Sequence, residues 1–374
     1  MFKTRLSLIF LLPIIFCSCK TENKYNYAIR DFGNSLKPHL TKIVSKGIVM
    51  YYDSSLRNMA SDRDLNELSL SEHPILRASA LRERLHRNPF NNFEILMKHL
   101  DDTAIVATDG GEFGIFTRTV SDDILQESNW KTEEDKNKTI DKVLTQHNYL
   151  RSAYVILRTI EPQEKYYNYI KDMATRPRRL SKDGYEMGFR DIEYALYGLV
   201  KFKKDEDRKI IEKQLMNQVW QLSNISFELM TEFPDSLYFN VLQSYHRRQF
   251  YRFSGNRRDG FSGDVADRAD PEDFIKALVK QQNEKSAKLL DTMLNKLPLQ
   301  TFMRDKETII ENIVLEIWDN PCPAYTELRN KLTDKVKQIK KGWITLPAMP
   351  SEEIKLDIDT TKPRIRWFAS VGHL

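Results

Sequence analysis

The sequence predicts an all-α fold: helical hairpins stacked in series, one projecting β-hairpin and an extended C-terminal tail. Three observations carry this. Apolar residues recur at i, i+3, i+4 and i+7 along most of the chain. Small residues stand on those stripes where two helices would cross, at Ala80, Ala153 and Ala195. Strand-like stretches are confined to a hairpin pattern at 104–117 and a proline-broken stretch at 343–374.

In chain order, Lys3 and Arg5 precede an apolar run, Leu6 to Phe16, broken only by Ser7 and Pro13. Phe16-Cys17-Ser18-Cys19-Lys20 follows, and the chain turns polar at Thr21. Crossing a bilayer core takes about twenty apolar residues, so this run is too short for a permanent span. A basic start, a short apolar core and a small residue before a cut are signal-peptide features. The segment resembles a bacterial lipoprotein signal, whose cysteine becomes the new first residue and carries acyl chains on its thiol and amine. The resemblance makes 1–18 the signal peptide, Ser18 the small residue before the cut and Cys19 the lipid attachment site. Phe16 stands where that family usually carries Leu; choosing Cys17 would place bulky Phe16 directly before the cut. An ordinary secretory signal and a buried apolar start are the competing readings. Lys20, where the family's inner-membrane retention signal has aspartate, implies the outer membrane of a Gram-negative envelope. More than one acyl chain makes such anchoring durable. Residues 19–35 then form a lipidated linker.

The 374 residues are enough for a large core or an elongated array of small ones. The formal charge of +5 falls by two when Lys3 and Arg5 leave with the signal. So weak and mixed a balance does not point to nucleic acid. Cys19 and Cys322 are the cysteines left after processing, so with Cys19 acylated no internal disulfide forms. Cys322, between Pro321 and Pro323, reads as a small buried or loop residue, with no histidine close in sequence to activate it.

Residues 36–341 read as the helical domain. Ile310, Ile313, Val314 and Ile317 form one stripe, flanked by Phe302 and Trp318; Ile192, Ala195, Leu196 and Leu199 form another. Phe274, Ala277 and Leu278, then Ala287, Leu290 and Leu294, predict a hairpin opened by Asp270-Pro271, a good N-cap followed by a first-turn proline. The stretch His73-Pro74-Ile75-Leu76-Arg77-Ala78-Ser79-Ala80-Leu81 resembles the second helix of a HEAT-like repeat, and Arg151–Leu157 and Arg190–Leu199 are similar to it. Ala153 and Ala195 stand 42 residues apart (195 − 153), inside the period of about 40–47 for such repeats. The 73 residues between Ala80 and Ala153 (153 − 80) require two shorter units or one with an insertion. The resemblance implies an armadillo-type α-α superhelix, whose hairpins bury their apolar faces only by stacking.

Three stretches depart from that pattern. Ala104–Thr108, Asp109-Gly110-Gly111-Glu112 and Phe113–Thr117 predict a β-hairpin, either a partner-contacting finger or a loop folded over a helix end. Ser254 to Asp270 is rich in glycine and charge, with Arg257 and Arg258; His246, Arg247, Arg248, Tyr251 and Arg252 precede it. Those arginines are the candidate partner-binding residues, since their forks suit carboxylate or phosphate; a solvated loop with internal ion pairs is the competing reading. Its Asp spacing does not match a calcium-binding EF-hand loop. Residues 342–374 read as an extended tail docking on the repeats: Pro347, Pro350 and Pro363 break helices, Ile354–Ile358 alternates like an edge strand, and Ile365, Trp367 and Phe368 can dock.

No zinc-protease pair, CxxC, P-loop or GxSxG is present, so no metal, cofactor or catalytic residue is predicted. Lys203–Lys209 alternates in charge and reads as a solvated face, and Arg176-Pro177-Arg178-Arg179 as an inter-helix loop or a basic contact. The leading expectation is a lipid-anchored envelope protein that binds another protein or peptide, as scaffold or as immunity-type binder to a delivered toxin. The alternative is an envelope enzyme on a closed α/α-barrel, acting on glycans or peptides through acidic residues gathered from separate helices.

Overall fold

The computed structural model describes residues 29, 32–50, 54–89, 92–109, 114–176, 189–219, 222–250, 270–296, 300–301, 304–333 and 365–366. Helix accounts for 72% of them, with a small sheet, which bears out a mainly helical fold. The chain divides into two compact units, Met1–Arg87 with Ala104–Val120, and Asn88–Thr103 with Ser121–Leu374.

The first unit holds α1 (Lys37–Lys46), β1 (Ile48–Val49), α2 (Ser54–Met59), α3 (Asp62–Leu68), α4 (Pro74–Arg87), β2 (Ile105–Asp109) and β3 (Ile115–Thr119). Pro38 starts α1 and Gly47 ends it at φ 69°, a left-handed position that favours glycine. Ser61 and Asp64 form a reciprocal capping box on α3. Leu40, Ile43, Leu56, Leu65, Leu68, Leu76 and Ala80 make the core. Arg87 closes α2: one guanidinium nitrogen donates to the carbonyls of Leu56, Arg57 and Ala60 at 3.1, 2.9 and 2.8 Å. Its other nitrogens reach Asp62 (2.9 Å) and Glu83 (3.2 Å). The expected hairpin is present, with Ile105 opposite Thr119 and Asp109 opposite Ile115. It is not a lone projection, because β1 pairs parallel to β2 and makes a three-stranded sheet.

The second unit contains α5 (Asn92–His99), α6 (Val120–Glu127, from Ser121 onward), β4 (Asn129–Trp130), α7 (Glu133–Gln146), α8 (Arg151–Val155, extended by a 3₁₀ turn to Arg158), α9 (Tyr167–Thr175), α10 (Phe189–Val200), α11 (Asp205–Asn217), α12 (Asn224–Glu232) and α13 (Tyr238–Tyr245). It continues through α14 (Pro271–Lys280), α15 (Glu284–Lys296), β5 (Gln300–Thr301), β6 (Arg304–Asp305), α16 (Lys306–Asp319), a helical stretch at 326–333, and β7 (Ile365–Arg366). Asp270 caps α14 by accepting from the Glu272 amide (3.1 Å), with Pro271 in the first turn.

Alternate helices stack. α8 packs on α10, α10 on α12, α12 on α14 and α14 on α16. Of the helices between them, α7 packs on α9, α11 on α13 and α13 on α15. Two of the three alanines that carry the sequence pattern lie in the first row: Ala153 on α8 and Ala195 on α10 are fully buried, as is Ala277 on α14, whereas Ala80, also buried, lies on α4 of the first unit. Ile192 to Leu199 are buried all round α10, as a helix covered on every side requires. At Gly198, α10 approaches the turn after α8 closely, since a β-carbon there would lie 3.0 Å from Leu157 Cβ. The predicted stripe on α16 is buried from Ile309 to Ile317.

Candidate binding surface

Of the residues proposed from sequence, Cys19, Arg257 and Arg258 lie outside the described residues, as do 177–188 and the strand expected at 354–358. Arg247 and Arg248 are exposed on a π-helical turn, His246–Phe250, that continues α13. The wider turn puts His246 inside and the arginines outside. His246 is buried and stacked on Phe274 of α14, ring centroids 6.3 Å apart and planes at 17°. Burial, and then the charge of Arg247, push its pKa down to about 4, so it is neutral near pH 7. Neither Arg247 nor Arg248 forms an ion pair with another described residue.

Buried carboxylates that the sequence reading did not single out hold the starts of α8 and α12, two helices of the first row. Asp122 on α6 accepts from the amides of Arg151 and Ser152, both at 2.9 Å, at the start of α8. Glu193 on α10 does the same for α12: it accepts from the Ser223 amide (2.9 Å), the Ser223 hydroxyl and the Ser226 hydroxyl (2.7 Å). Asp122 and Glu193 are 1% and 0% exposed. Each supplies negative charge and acceptors where a helix start has unpaired N–H groups. The available signal was Glu193 itself, an acidic residue beside Ile192 on an otherwise apolar stripe.

A polar strip runs over the same row. Arg158 donates to Glu228 on α12 at 3.1 and 2.8 Å. The Tyr197 hydroxyl of α10 donates to Glu232 on α12. Lys201 donates to the carbonyls of Leu157, Arg158 and Ile160 at 3.2, 2.6 and 3.0 Å, capping the 3₁₀ turn after α8, and burial lowers its pKa. On α14, Glu272 accepts from Asn312 of α16 at 3.1 Å. Burial, followed by the neighbouring Asp270 carboxylate, raises the pKa of Asp273; burial likewise raises that of Glu316 on α16.

The other row has its own ionic seam. Lys171 on α9 donates to Tyr167 Oη and to Glu206 Oε1 of α11, both at 2.8 Å, and pairs with the buried Asp207 at 2.8 Å. Lys204 sits over the Tyr167 ring, 3.4 Å from its centroid. Burial, then the bond to Glu206, lift the Tyr167 phenol to about 12, so it stays a hydrogen-bond donor at neutral pH.

No family model, curated protein or solved structure matches this chain. Its chemistry therefore rests on its own residues. Among the described residues no group of three or more His, Cys, Asp or Glu is placed to hold a metal ion. Among them, too, no helix is long and apolar enough to cross a membrane. The geometry offers anchored helices carrying an ordered strip of hydrogen-bonding groups, and an exposed arginine pair at the end of α13.

Proposed function

We propose that the protein is a lipid-anchored envelope protein that binds another protein or peptide across a HEAT-like helical-repeat surface, as scaffold or immunity-type binder. The single observation that supports this reading is the row α8, α10, α12, α14, α16, each helix packed on the next. Stacked repeats of this kind form an extended face on which side chains from successive units line up for a partner. The strip from Arg158 through Glu228 and Asp273 to Glu316 supplies polar contacts of both signs. Arg247 and Arg248, with Arg257 and Arg258 downstream, supply forks for a partner's carboxylates. Anchoring rests on Cys19 and the signal-like segment before it, and places the partner in the envelope, with the outer membrane as the surface.

The test is a pull-down from detergent-solubilised membranes, with Cys19→Ala as control. The expected result is one stoichiometric partner with the wild-type chain, an acyl mass on Cys19, and loss of both acyl mass and membrane fractionation in the variant. A Cys19→Ala chain that still fractionates with the membrane, beside a wild-type chain with no acyl mass, removes the anchor. An immunity role further requires that loss of the protein kill only cells exposed to the cognate toxin.

A second reading, an envelope hydrolase, draws on Asp273, whose raised pKa suits a general acid and whose surroundings include Glu228 on the adjacent helix. Asp273→Asn separates the two: it abolishes glycan or peptide cleavage if the enzyme reading holds, whereas under the binding reading it weakens partner recovery as one contact of the strip and there is no cleavage to lose.

A further inference from the structure

We propose that the outer face of α1, with Lys37, Lys42 and Lys46, lies against the anionic headgroups of the bilayer, as an electrostatic contact added to the acyl anchor. This rests on the anchoring at Cys19 proposed above and goes beyond it, because it names the surface of the first unit that meets the lipid.

The two sides of α1 differ in chemistry. Leu40 and Ile43 point into the core, where Ile29, Phe32 and Leu36 of the incoming chain belong to the same packed cluster. On the other side Pro38, Thr41, Lys42, Ser45 and Lys46 are exposed, with Lys37 half-buried at their border. Lys42 and Lys46 stand one turn apart on one line of the helix. Thr41 and Ser45 turn their hydroxyls back to carbonyls of the same helix, each at 2.9 Å. Residues 32–50 contain no Asp or Glu.

The lysines stand apart from the other cations of this unit. Among its described residues, every arginine is engaged within the chain: Arg57, Arg63 and Arg87 in ion pairs, the others in hydrogen bonds or over a ring. Glu83, the buried acid of α4, on which α1 packs, is already held by Arg57 (3.4 Å) and Arg87 (3.2 Å). The ammonium groups of Lys37, Lys42 and Lys46 make no ion pair or hydrogen bond. The charge of the processed chain has the same bias. After Cys19 the first unit carries 13 basic and 10 acidic residues and the second carries 43 of each, so the whole excess of +3 (13 − 10) lies in the first.

The covalent path brings this face within reach of lipid. Ile29, 7% exposed in the core that α1 covers, follows Cys19 by ten residues (29 − 19). Fully extended, that stretch spans at most about 36 Å. Anionic headgroups attract nearby lysines within a Debye length, and each lysine multiplies occupancy about fivefold. Three together favour this orientation about a hundredfold over one that turns α1 to water.

The experiment places the acylated full chain in vesicles of phosphatidylcholine, alone or with about one third phosphatidylglycerol, acetylates it with acetic anhydride and follows each lysine by mass spectrometry. Lys42 and Lys46 are expected to react about fivefold more slowly in the anionic vesicles. The difference should vanish at about 1 M salt, where the screening length falls to ~3 Å. Lys209, exposed on α11, is the control and should react alike in both vesicles. Lys42→Gln with Lys46→Gln should return Lys37 to its neutral-vesicle rate; circular dichroism establishes that this variant folds, and Lys46→Gln alone, expected to restore Lys37 in part, replaces it if it does not. Equal labelling of the wild-type chain in both vesicles, with acyl mass present, overturns the proposal and leaves the anchor standing. Protection that survives high salt, or is already present in detergent, overturns it too, and assigns the face to an apolar contact or to protein. A chain without acyl mass removes the anchor, and this orientation with it.

Discussion

The clearest test of how the helix row is held together is Glu193. Its carboxylate is fully buried and accepts from the Ser223 amide and from two serine hydroxyls, one at 2.7 Å. Hydrogen bonds to a charged group are each worth about 1.5–3 kcal/mol. Glu193→Ala removes three and strands the donors of Ser223 and Ser226, 2% and 0% exposed. Relief of the carboxylate's own burial cost offsets part of that loss, leaving a net destabilisation of about 3–5 kcal/mol. Glu193→Gln keeps the volume and one acceptor, loses the charge, and should cost about 1–2 kcal/mol. Urea unfolding followed by circular dichroism reads both, with Glu212→Gln on α11 as a partly exposed control expected within about 0.5 kcal/mol of wild type. A double-mutant cycle with Ser226→Ala isolates the contact and should return a coupling above about 1 kcal/mol. The reasoning is refuted if Glu193→Ala unfolds with the control, or if the two single costs simply add.

Three further outcomes follow from the geometry. His246 has a folded-state pKa of about 4, below its unfolded 6.5, so the unfolded chain binds more protons between those values; stability is full above pH 6.5, falls by about 3 kcal/mol as pH drops to 4, and loses much of that slope in His246→Phe, measured by melts at stepped pH. Gly198→Ala gains about 1 kcal/mol of helix propensity but presses a methyl against Leu157 Cβ, a main-chain-anchored atom at 3.0 Å, so the net is a loss of about 1 kcal/mol, and Gly198→Val a larger one, in the same urea assay. Arg87→Lys keeps the charge but cannot reach three carbonyls and two carboxylates with one fork, and should cost about 2 kcal/mol with increased amide exchange at 57–61.

Much of the helical organisation was legible because burial writes itself into period. The stripes on α10 and α16 and the Asp270-Pro271 start of α14 lie where the spacing and capping chemistry put them. Ala153 and Ala195 mark adjacent members of one row because small residues are needed where helices cross closely. The hairpin at 105–119 was readable from its turn and β-formers, but not its third strand: β1 is two residues long, directly after α1, and too short to carry an alternation. The polar anchors were harder still. Asp122 is an ordinary helix-surface residue by composition and Glu193 stands out only as an acid on an apolar stripe; the fold alone places each against a helix start about thirty positions downstream. The β4–β7 pairing joins residues at opposite ends of the second unit's sequence, beyond any local signal.

Those anchors bear on how a binding face can change without the fold changing. Asp122 ties α6 to the start of α8, and Glu193 ties α10 to α12, both from within and through backbone amides and buried serines. The strip above them, with Arg158, Glu228, Asp273 and Glu316, is partly exposed and connected by pairs whose loss costs far less than a buried cap. Substitution along the strip can therefore alter what the surface recognises while the row beneath stays stacked. Glu193 and Asp122 have no such freedom, because a carboxylate removed there leaves a buried helix start without acceptors. The asymmetry is what a repeat-built binding surface requires: spacing between helices set by a few fixed interior groups, and specificity left to side chains whose replacement the core does not feel.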